Sequence, residues 1–158
     1  MYEIIYFSRS GNTKKLAMTI AEEFNVKAQH IQSVKSISKG TDIFLGSGLY
    51  FMKPSKLLRD FIRNNDFKGR KVALFGTSAA GKGVEVIGME RLLKRKGAII
   101  TGKYYCKGQF FFIRKGRPAD KDLEKAREFA YSIKNGFESN LVTEIQEEKS
   151  EDRVLSRV

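Results

Sequence analysis

Apolar runs of strand length alternate with amphipathic segments along most of the chain. Between the runs, apolar side chains recur every three or four residues, which is the spacing of a helix with one buried side. Near-continuous apolar strands separated by such helices are typical of a parallel sheet covered on both faces. The predicted strands are 4–7, 26–31, 42–46, 71–75 and 98–105, of which 26–31 is a weak strand at a sheet edge. The pattern therefore predicts an α/β fold, a doubly wound five-stranded parallel sheet with helices on both faces.

Proline and glycine mark the ends of the predicted helices. Pro54 is expected to begin the second helix, because a proline at the first helical position loses no hydrogen bond there. Gly97 is expected to end the third helix, and Pro118 and Gly136 to enclose the fourth. No domain boundary is therefore expected before the end of the fourth helix.

The length and composition fit one folded domain. With 158 residues, of which 41% are hydrophobic, the chain can bury an adequate core. We expect residues 1–136 to form that domain and residues 137–158 to form a charged tail, either a short helix or a disordered segment. No apolar stretch approaches the roughly 18 residues of a membrane span, and the first strand begins without a signal region. The chain is therefore expected in the cytoplasm.

Positive charge is concentrated in the body of the chain. The formal net charge is +12, and residues 1–135 hold 27 Lys/Arg against 12 Asp/Glu, whereas residues 136–158 hold three against six. A body this basic attracts acidic proteins, nucleic acid or an anionic membrane surface. Solvated helix faces also carry lysine and arginine, so the charge alone leaves both interpretations open.

The loops that follow the predicted strands are rich in glycine and small polar residues. These loops are 8–13, 47–53, 77–83 and 106–109. In an open parallel sheet, ligands bind outside the carboxyl ends of the strands. Glycine lets the backbone approach a flat ligand closely, and the apolar residues 49–52 offer a surface for a ring system. Together the four loops predict one ligand site at this edge of the sheet.

The turn after the first strand has the composition of a phosphate site. Ser8, Ser10 and Thr13 supply hydroxyl donors, Asn12 supplies an amide, and Gly11 allows the backbone to turn tightly. The helix that begins here adds the positive end of its dipole. An ordinary capped connection between a strand and a helix has the same residue types, so the turn by itself leaves both interpretations open.

Three of these loops resemble loops of the flavodoxin family. Ser-Arg-Ser-Gly-Asn-Thr at 8–13 resembles the phosphate loop of that family, and Gly-Ser-Gly-Leu-Tyr at 46–50 resembles its loop over the FMN ring. Gly-Thr-Ser-Ala at 76–79 is similar to its second ring-contacting loop. The resemblance covers about residues 1–135 and implies an FMN cofactor and the flavodoxin-like strand order 2-1-3-4-5.

Carried over residue by residue, the resemblance implies two sets of FMN contacts. The phosphate would be held by Ser8, Arg9, Ser10, Gly11, Asn12 and Thr13. The ring would be contacted by Ser47, Gly48, Leu49, Tyr50, Phe51, Met52, Thr77, Ser78, Ala79, Ala80 and Gly81. Arg9 stands where the family commonly has a small or apolar residue, and flavodoxins that act as carriers are typically acidic. The resemblance therefore supports FMN binding more firmly than it supports the usual partners.

The function that the resemblance implies is electron transfer between redox partner proteins, here partners with acidic docking surfaces. The alternative is a small FMN-dependent oxidoreductase of the quinone-reductase or protoporphyrinogen-oxidase type. Such an enzyme often has a long loop that forms a substrate pocket, and the short stretch 50–55 favours the carrier. The sequence shows no paired carboxylates or Ser/His/Asp arrangement, and Cys106 is its single cysteine, so no catalytic residue and no metal site are predicted.

Two remote alternatives concern other ligands. Residues 103–117 interleave aromatic and basic side chains, as in proteins that stack single-stranded nucleic acid, but the aromatic residues fit a buried strand better. Residues 76–83 approach the loop that binds nucleoside triphosphates, but Gly83 replaces the hydroxyl that would bind magnesium. Neither alternative matches the four loops as well as FMN does.

Overall fold

A parallel five-stranded sheet is the centre of the fold. The structure, a computed structural model, describes residues 1–48, 54–78, 82–108 and 116–136, so the predicted tail 137–158 lies outside the described residues. The strands are β1 (Tyr2–Phe7), β2 (Ala28–His30), β3 (Asp42–Gly48), β4 (Lys71–Ser78) and β5 (Ile99–Lys107). They pair in the order β2-β1-β3-β4-β5, and every pair is parallel. The predicted fold class and strand order are confirmed, and the weak strand is at an edge.

Four helices cover the sheet, two on each face. They are α1 (Asn12–Glu23), α2 (Lys56–Asn64), α3 (Val84–Arg95) and α4 (Asp120–Lys134), with a short 3-10 helix at Ile31–Ser33. Helices α1 and α4 pack on one side of the sheet, the α1/α4 face, and α2 and α3 pack on the other, the α2/α3 face. None of the helices within the described ranges is long and apolar enough to cross a membrane.

Alternate residues of each strand contribute to two separate cores. Ile4 and Phe44 point to the α1/α4 face, where alanines of α1 and α4 let those helices approach the sheet closely. Ile5 and Leu45 point to the α2/α3 face, which is mostly aliphatic. Because both faces of the sheet are covered, the central strands read as continuous apolar runs rather than as alternating ones.

Three strands continue further than the apolar pattern predicts. The predicted ends were 46, 75 and 105, whereas β3, β4 and β5 extend to Gly48, Ser78 and Lys107. Glycine and serine are poor strand formers, but here they pair with neighbouring strands, as Ser47 does with Gly76. The first residues of the predicted loops therefore belong to the rigid sheet.

Pro54 does not begin the second helix, so that prediction is wrong. The helix begins at Lys56, and Ser55 is its N-cap, where the serine hydroxyl accepts a hydrogen bond from the Leu58 N–H at 3.2 Å. Pro54 instead lies against α3, since a methyl group on Gly88 would come within 2.9 Å of the proline ring. A serine whose hydroxyl accepts from the third helical N–H is a stronger start signal than a proline one residue earlier.

Candidate functional site

The turn between β1 and α1 forms an open helix N-terminus. Gly11 is the N-cap of α1 and adopts the left-handed conformation, with φ 85°, which favours glycine. Its N–H donates a hydrogen bond to the Ser8 hydroxyl at 3.1 Å, and this bond closes the turn. Gly11 has no side chain, and no side-chain hydrogen bond caps the start of α1, where the helix dipole has its positive end. This geometry suits a phosphate group.

The start of α1 is joined to the end of β4. The hydroxyls of Thr13 and Thr77 are 2.9 Å apart and hydrogen-bonded, and both side chains are buried. Asn12, the first residue of α1, is also buried. This hydrogen bond, between residues 64 positions apart in the chain, joins the turn from Ser8 to Thr13 to the end of β4.

Gly108, directly after β5, packs against the start of α1 and the end of β4. A methyl group at Gly108 would lie 3.0 Å from Asn12 Nδ2 and 3.3 Å from Thr77 Cβ. The Gly108 N–H donates a hydrogen bond to the Ser78 carbonyl at 3.0 Å. Three chain segments therefore meet so closely that a side chain at Gly108 would disturb them.

The end of β3 provides the fourth segment. Ser47 and Gly48 are buried, and they pair with Gly76 and Thr77 of β4. The Ser47 hydroxyl donates a hydrogen bond to the Gly48 carbonyl at 3.0 Å. The small residues that the sequence assigned to the ring site therefore lie side by side at the carboxyl edge of the sheet.

The described part of the predicted site is thus brought together at one edge. Ser8 is half-buried, Asn12 and Thr13 are buried, and Arg9 and Ser10 are exposed. The Arg9 guanidinium lies 6.0 Å from the centre of the Phe7 ring. The predicted contacts outside the described residues are Leu49, Tyr50, Phe51, Met52, Ala79, Ala80 and Gly81.

The sequence predicts no individual role for two residues near this edge, Glu85 and Gly108, although Gly108 lies within the predicted loop 106–109. Glu85 is the second residue of α3 and is completely buried, although glutamate is rarely so. Its position carries a signal, because Glu85 is four residues before Met89 and eight before Leu93 on the buried side of the helix. A charged residue on an apolar helical stripe is the pattern that would have identified it.

Burial dominates the electrostatics of the two titratable groups here. It raises the pKa of the Glu85 carboxyl to about 7, and the Ser78 hydroxyl and the N–H of Glu85 itself counter only part of that rise. Neither of those groups makes a hydrogen bond of normal geometry to the carboxyl oxygens. Burial also raises the pKa of the Cys106 thiol to about 12, with Asp122 adding to the effect. Cys106 is therefore a protonated, buried thiol.

A cavity of about 370 Å³ lies at the opposite edge of the sheet. It is bounded by the first residues of several strands, such as Tyr2, Asp42 and Lys71, and by the end of α4. Open parallel sheets bind ligands at the carboxyl ends of their strands. The candidate site is therefore assigned to the edge that holds the phosphate turn, and not to this cavity.

Comparisons with known sequences identify the family of the chain. The model of the flavodoxin domain matches residues 3–101. An uncharacterized protein of Methanocaldococcus jannaschii is 33% identical over 134 residues, which cover 77% of this chain and 89% of that protein. A flavodoxin of Maridesulfovibrio salexigens is 31% identical over 116 residues, which cover 63% of this chain and 80% of that protein.

Solved structures show the same fold. A flavodoxin from the domain Archaea superposes with a TM-score of 0.72 at 21% identity, covering 84% of this chain and 94% of that one. Oxidised flavodoxin 1 of Bacillus cereus gives a TM-score of 0.65 at 25% identity, covering 82% and 94%. Because the flavodoxin-domain model matches more than half of the chain and the strand order is that of the family, the chain belongs to the flavodoxin family.

Proposed function

We propose that this chain binds FMN at the carboxyl edge of its sheet and transfers electrons between redox proteins. The observation that carries the proposal is the junction of Thr13, Thr77 and Gly108, which holds the open N-terminus of α1 against the ends of β4 and β5. A phosphate at the helix N-terminus and a flat ring along the strand ends would use both parts of that junction.

In this proposal the protein positions the cofactor, and FMN supplies the electron chemistry. The turn from Ser8 to Thr13 would hold the phosphate, with its hydroxyls and the N–H groups at the start of α1 as hydrogen-bond donors. Ser47–Met52 and Thr77–Gly81 would hold the ring, and their described residues are small and buried at the strand ends. Small residues there leave room for a planar group to approach the backbone.

The test is reconstitution with FMN, followed by a visible spectrum and a binding titration. Wild-type protein is expected to turn yellow and to bind FMN in a 1:1 ratio. Gly108→Val is expected to weaken FMN binding by about 5- to 150-fold, because the new side chain overpacks against Asn12 and Thr77. Thr101→Val, in β5 near the opposite edge of the sheet, is the control and should bind FMN as wild type does. A folded protein that takes up no FMN would contradict the proposal.

We further propose that the electron partners present acidic docking surfaces. The residues that carry α2 and α3, 54–71 and 82–97, contain eleven Lys/Arg and four Asp/Glu. Charge complementarity of this kind speeds association and is screened by salt. The proposed acidic surface therefore predicts electron exchange that slows as ionic strength rises.

A carboxylate-terminated electrode is a suitable probe of this second proposal. Electron exchange between the FMN-loaded protein and that electrode should be slowed by the double variant Arg91→Gln/Arg95→Gln on the exposed side of α3. Lys121→Gln on α4 is the control, since it removes an exposed charge from the other face. Equal rates in both variants, or no dependence on salt, would contradict an acidic docking surface.

A further inference from the structure

Glu85 is buried without a partner for its charge. Its side chain is 0% exposed, and neither carboxyl oxygen has a hydrogen-bond partner among the described residues. Glu90, one turn further along α3, instead pairs with Lys94 at 2.7 Å and Lys103 at 2.9 Å. An unpaired buried carboxylate costs several kcal/mol in a folded protein, so such a group calls for an explanation.

The Glu85 carboxyl lies directly behind the β4 end of the proposed FMN site. A methyl group on Gly76 would be 2.6 Å from Glu85 Cγ and 2.8 Å from its Oε1, so the absence of a side chain at Gly76 makes room for the carboxyl. The next two residues, Thr77 and Ser78, are predicted ring contacts. The carboxyl is therefore separated from the proposed cofactor site by about one strand thickness.

Within residues 1–48, 54–78, 82–108 and 116–136, no lysine or arginine makes a hydrogen bond to the Glu85 carboxyl. From β4, only the Ser78 hydroxyl acts on it. From β5, the Cys106 thiol interacts electrostatically with Glu85, whose charge raises the thiol pKa. The Tyr105 ring, also from β5, packs against Gly83 just before α3. On α3 itself, the Glu90 carboxylate forms ion pairs with Lys94 and Lys103. Lys82, just before α3, is exposed.

This environment makes the proton on Glu85 sensitive to any new charge nearby. Because the carboxyl is shielded from water and unpaired, a negative charge placed beside it strongly favours its protonated form. Reduced FMN at neutral or alkaline pH carries such a charge on its ring. Two groups that interact in this way titrate as a coupled pair.

We propose that Glu85 takes up a proton when bound FMN is reduced, so that electron transfer is coupled to proton transfer at this side chain. The inference rests on the proposed FMN site. Two electrons from a reductant and one proton from solvent convert FMN to its anionic reduced form, protonated at N5. A second proton from solvent converts the Glu85 carboxylate to the carboxylic acid. Reoxidation releases both protons, so electrons and protons balance in each direction.

Proton uptake during reduction tests this coupling. FMN-loaded protein is reduced at an electrode in weakly buffered solution at pH 8, while a pH-stat records the acid consumed. Wild type is expected to take up about two protons per FMN, and Glu85→Gln about one, because an amide cannot accept the second proton. Glu90→Gln is the matched control on the same helix and should take up as many protons as wild type does.

Infrared difference spectra provide a measurement on the unchanged protein. Reduction of wild type should produce a carboxylic-acid C=O band that shifts in D₂O and that is missing from Glu85→Gln. FMN-bound protein with no such band, or with equal proton uptake in wild type and Glu85→Gln, would overturn the role of Glu85 alone. A protein that binds no FMN would overturn the proposed function and this inference with it, so the two failures are distinguishable.

Discussion

The two faces of the sheet differ in charge and in the way they hold buried polar groups. Residues 54–71 and 82–97 on the α2/α3 face hold eleven Lys/Arg and four Asp/Glu, whereas residues 9–27 and 116–136 on the α1/α4 face hold nine and six. The more basic surface thus covers the core that contains the buried acid Glu85. The α2/α3 face therefore combines an excess of positive residues in its helical segments with a buried carboxyl in its core.

Polar groups in the α1/α4 core are paired, in contrast to Glu85. Thr13 and Thr77 bond to each other at 2.9 Å, and the Tyr104 hydroxyl donates to the Asp122 carbonyl at 2.7 Å. Paired polar groups add to stability or cost little, whereas an unpaired carboxyl reduces it. The comparison indicates that hydrogen bonds on the α1/α4 face make the site rigid. On the α2/α3 face, the buried Glu85 carboxyl lowers the stability of the fold beside the site.

The largest stability effect is expected from the aromatic core of the α1/α4 face. Phe44 is fully buried, and its ring centre lies 5.1 Å from that of Phe24 and 5.8 Å from that of Phe129. Phe44→Ala should lower the free energy of unfolding by about 3–5 kcal/mol, because it leaves a cavity among these rings. Urea denaturation of the FMN-free protein measures the change. Phe44→Leu, which refills most of the space, should cost less than about 1.5 kcal/mol, and equal losses would contradict this packing.

The next largest effect is a pH dependence of stability on the α2/α3 face. The pKa of Glu85 rises from 4.5 to about 7 on folding, because the carboxyl is buried. Between these pH values the folded chain keeps a proton that the unfolded chain has released. The contribution of Glu85 to the free energy of unfolding therefore falls as pH rises from 4.5 to 7, by about 3 kcal/mol at most, and stays constant above that range.

Glu85→Gln isolates this contribution from those of other titrating groups. The difference in unfolding free energy between Glu85→Gln and wild type should be small near pH 4.5, should grow in favour of the variant up to pH 7, and should then level off. Urea denaturation of the FMN-free proteins at a series of pH values measures it. A difference that does not change with pH would show that Glu85 has an ordinary pKa in the folded protein.

The helix-strand alternation was predictable from the apolar pattern and the strand order from the resemblance to flavodoxins, whereas the strand ends were not. Buried parallel strands leave a continuous apolar run, which stops at 46 and 75 in the sequence. Gly48 and Ser78 remain in their strands because neighbouring strands pair with them, and that stabilisation is tertiary. Apolar periodicity therefore finds the centre of each strand and underestimates its carboxyl end.

The site divides in the same way between local and long-range information. The phosphate turn was predictable because its hydroxyls and glycine are consecutive in the chain. Gly108 was not, since its role depends on the approach of Asn12 and Thr77 from two other segments. Glu85 interrupts the apolar period of α3, but the room for its buried carboxyl depends on Gly76 in β4. Residues that act through distant neighbours are the ones that a single sequence does not reveal.

The smallest change in stability is expected at Leu57, which lies at the border between the buried and the exposed side of α2. Leu57 and Leu58 are adjacent apolar residues of α2, yet Leu57 is 44% exposed while Leu58 is fully buried. Helical periodicity gives the centre of an apolar stripe but not its width. Leu57→Gln should therefore change the free energy of unfolding by less than about 0.5 kcal/mol, whereas Leu58→Ala should cost about 2–5 kcal/mol. Urea denaturation measures both changes. Comparable losses of stability in the two variants would mean that the Leu57 side chain is buried, contrary to its exposure in the structure.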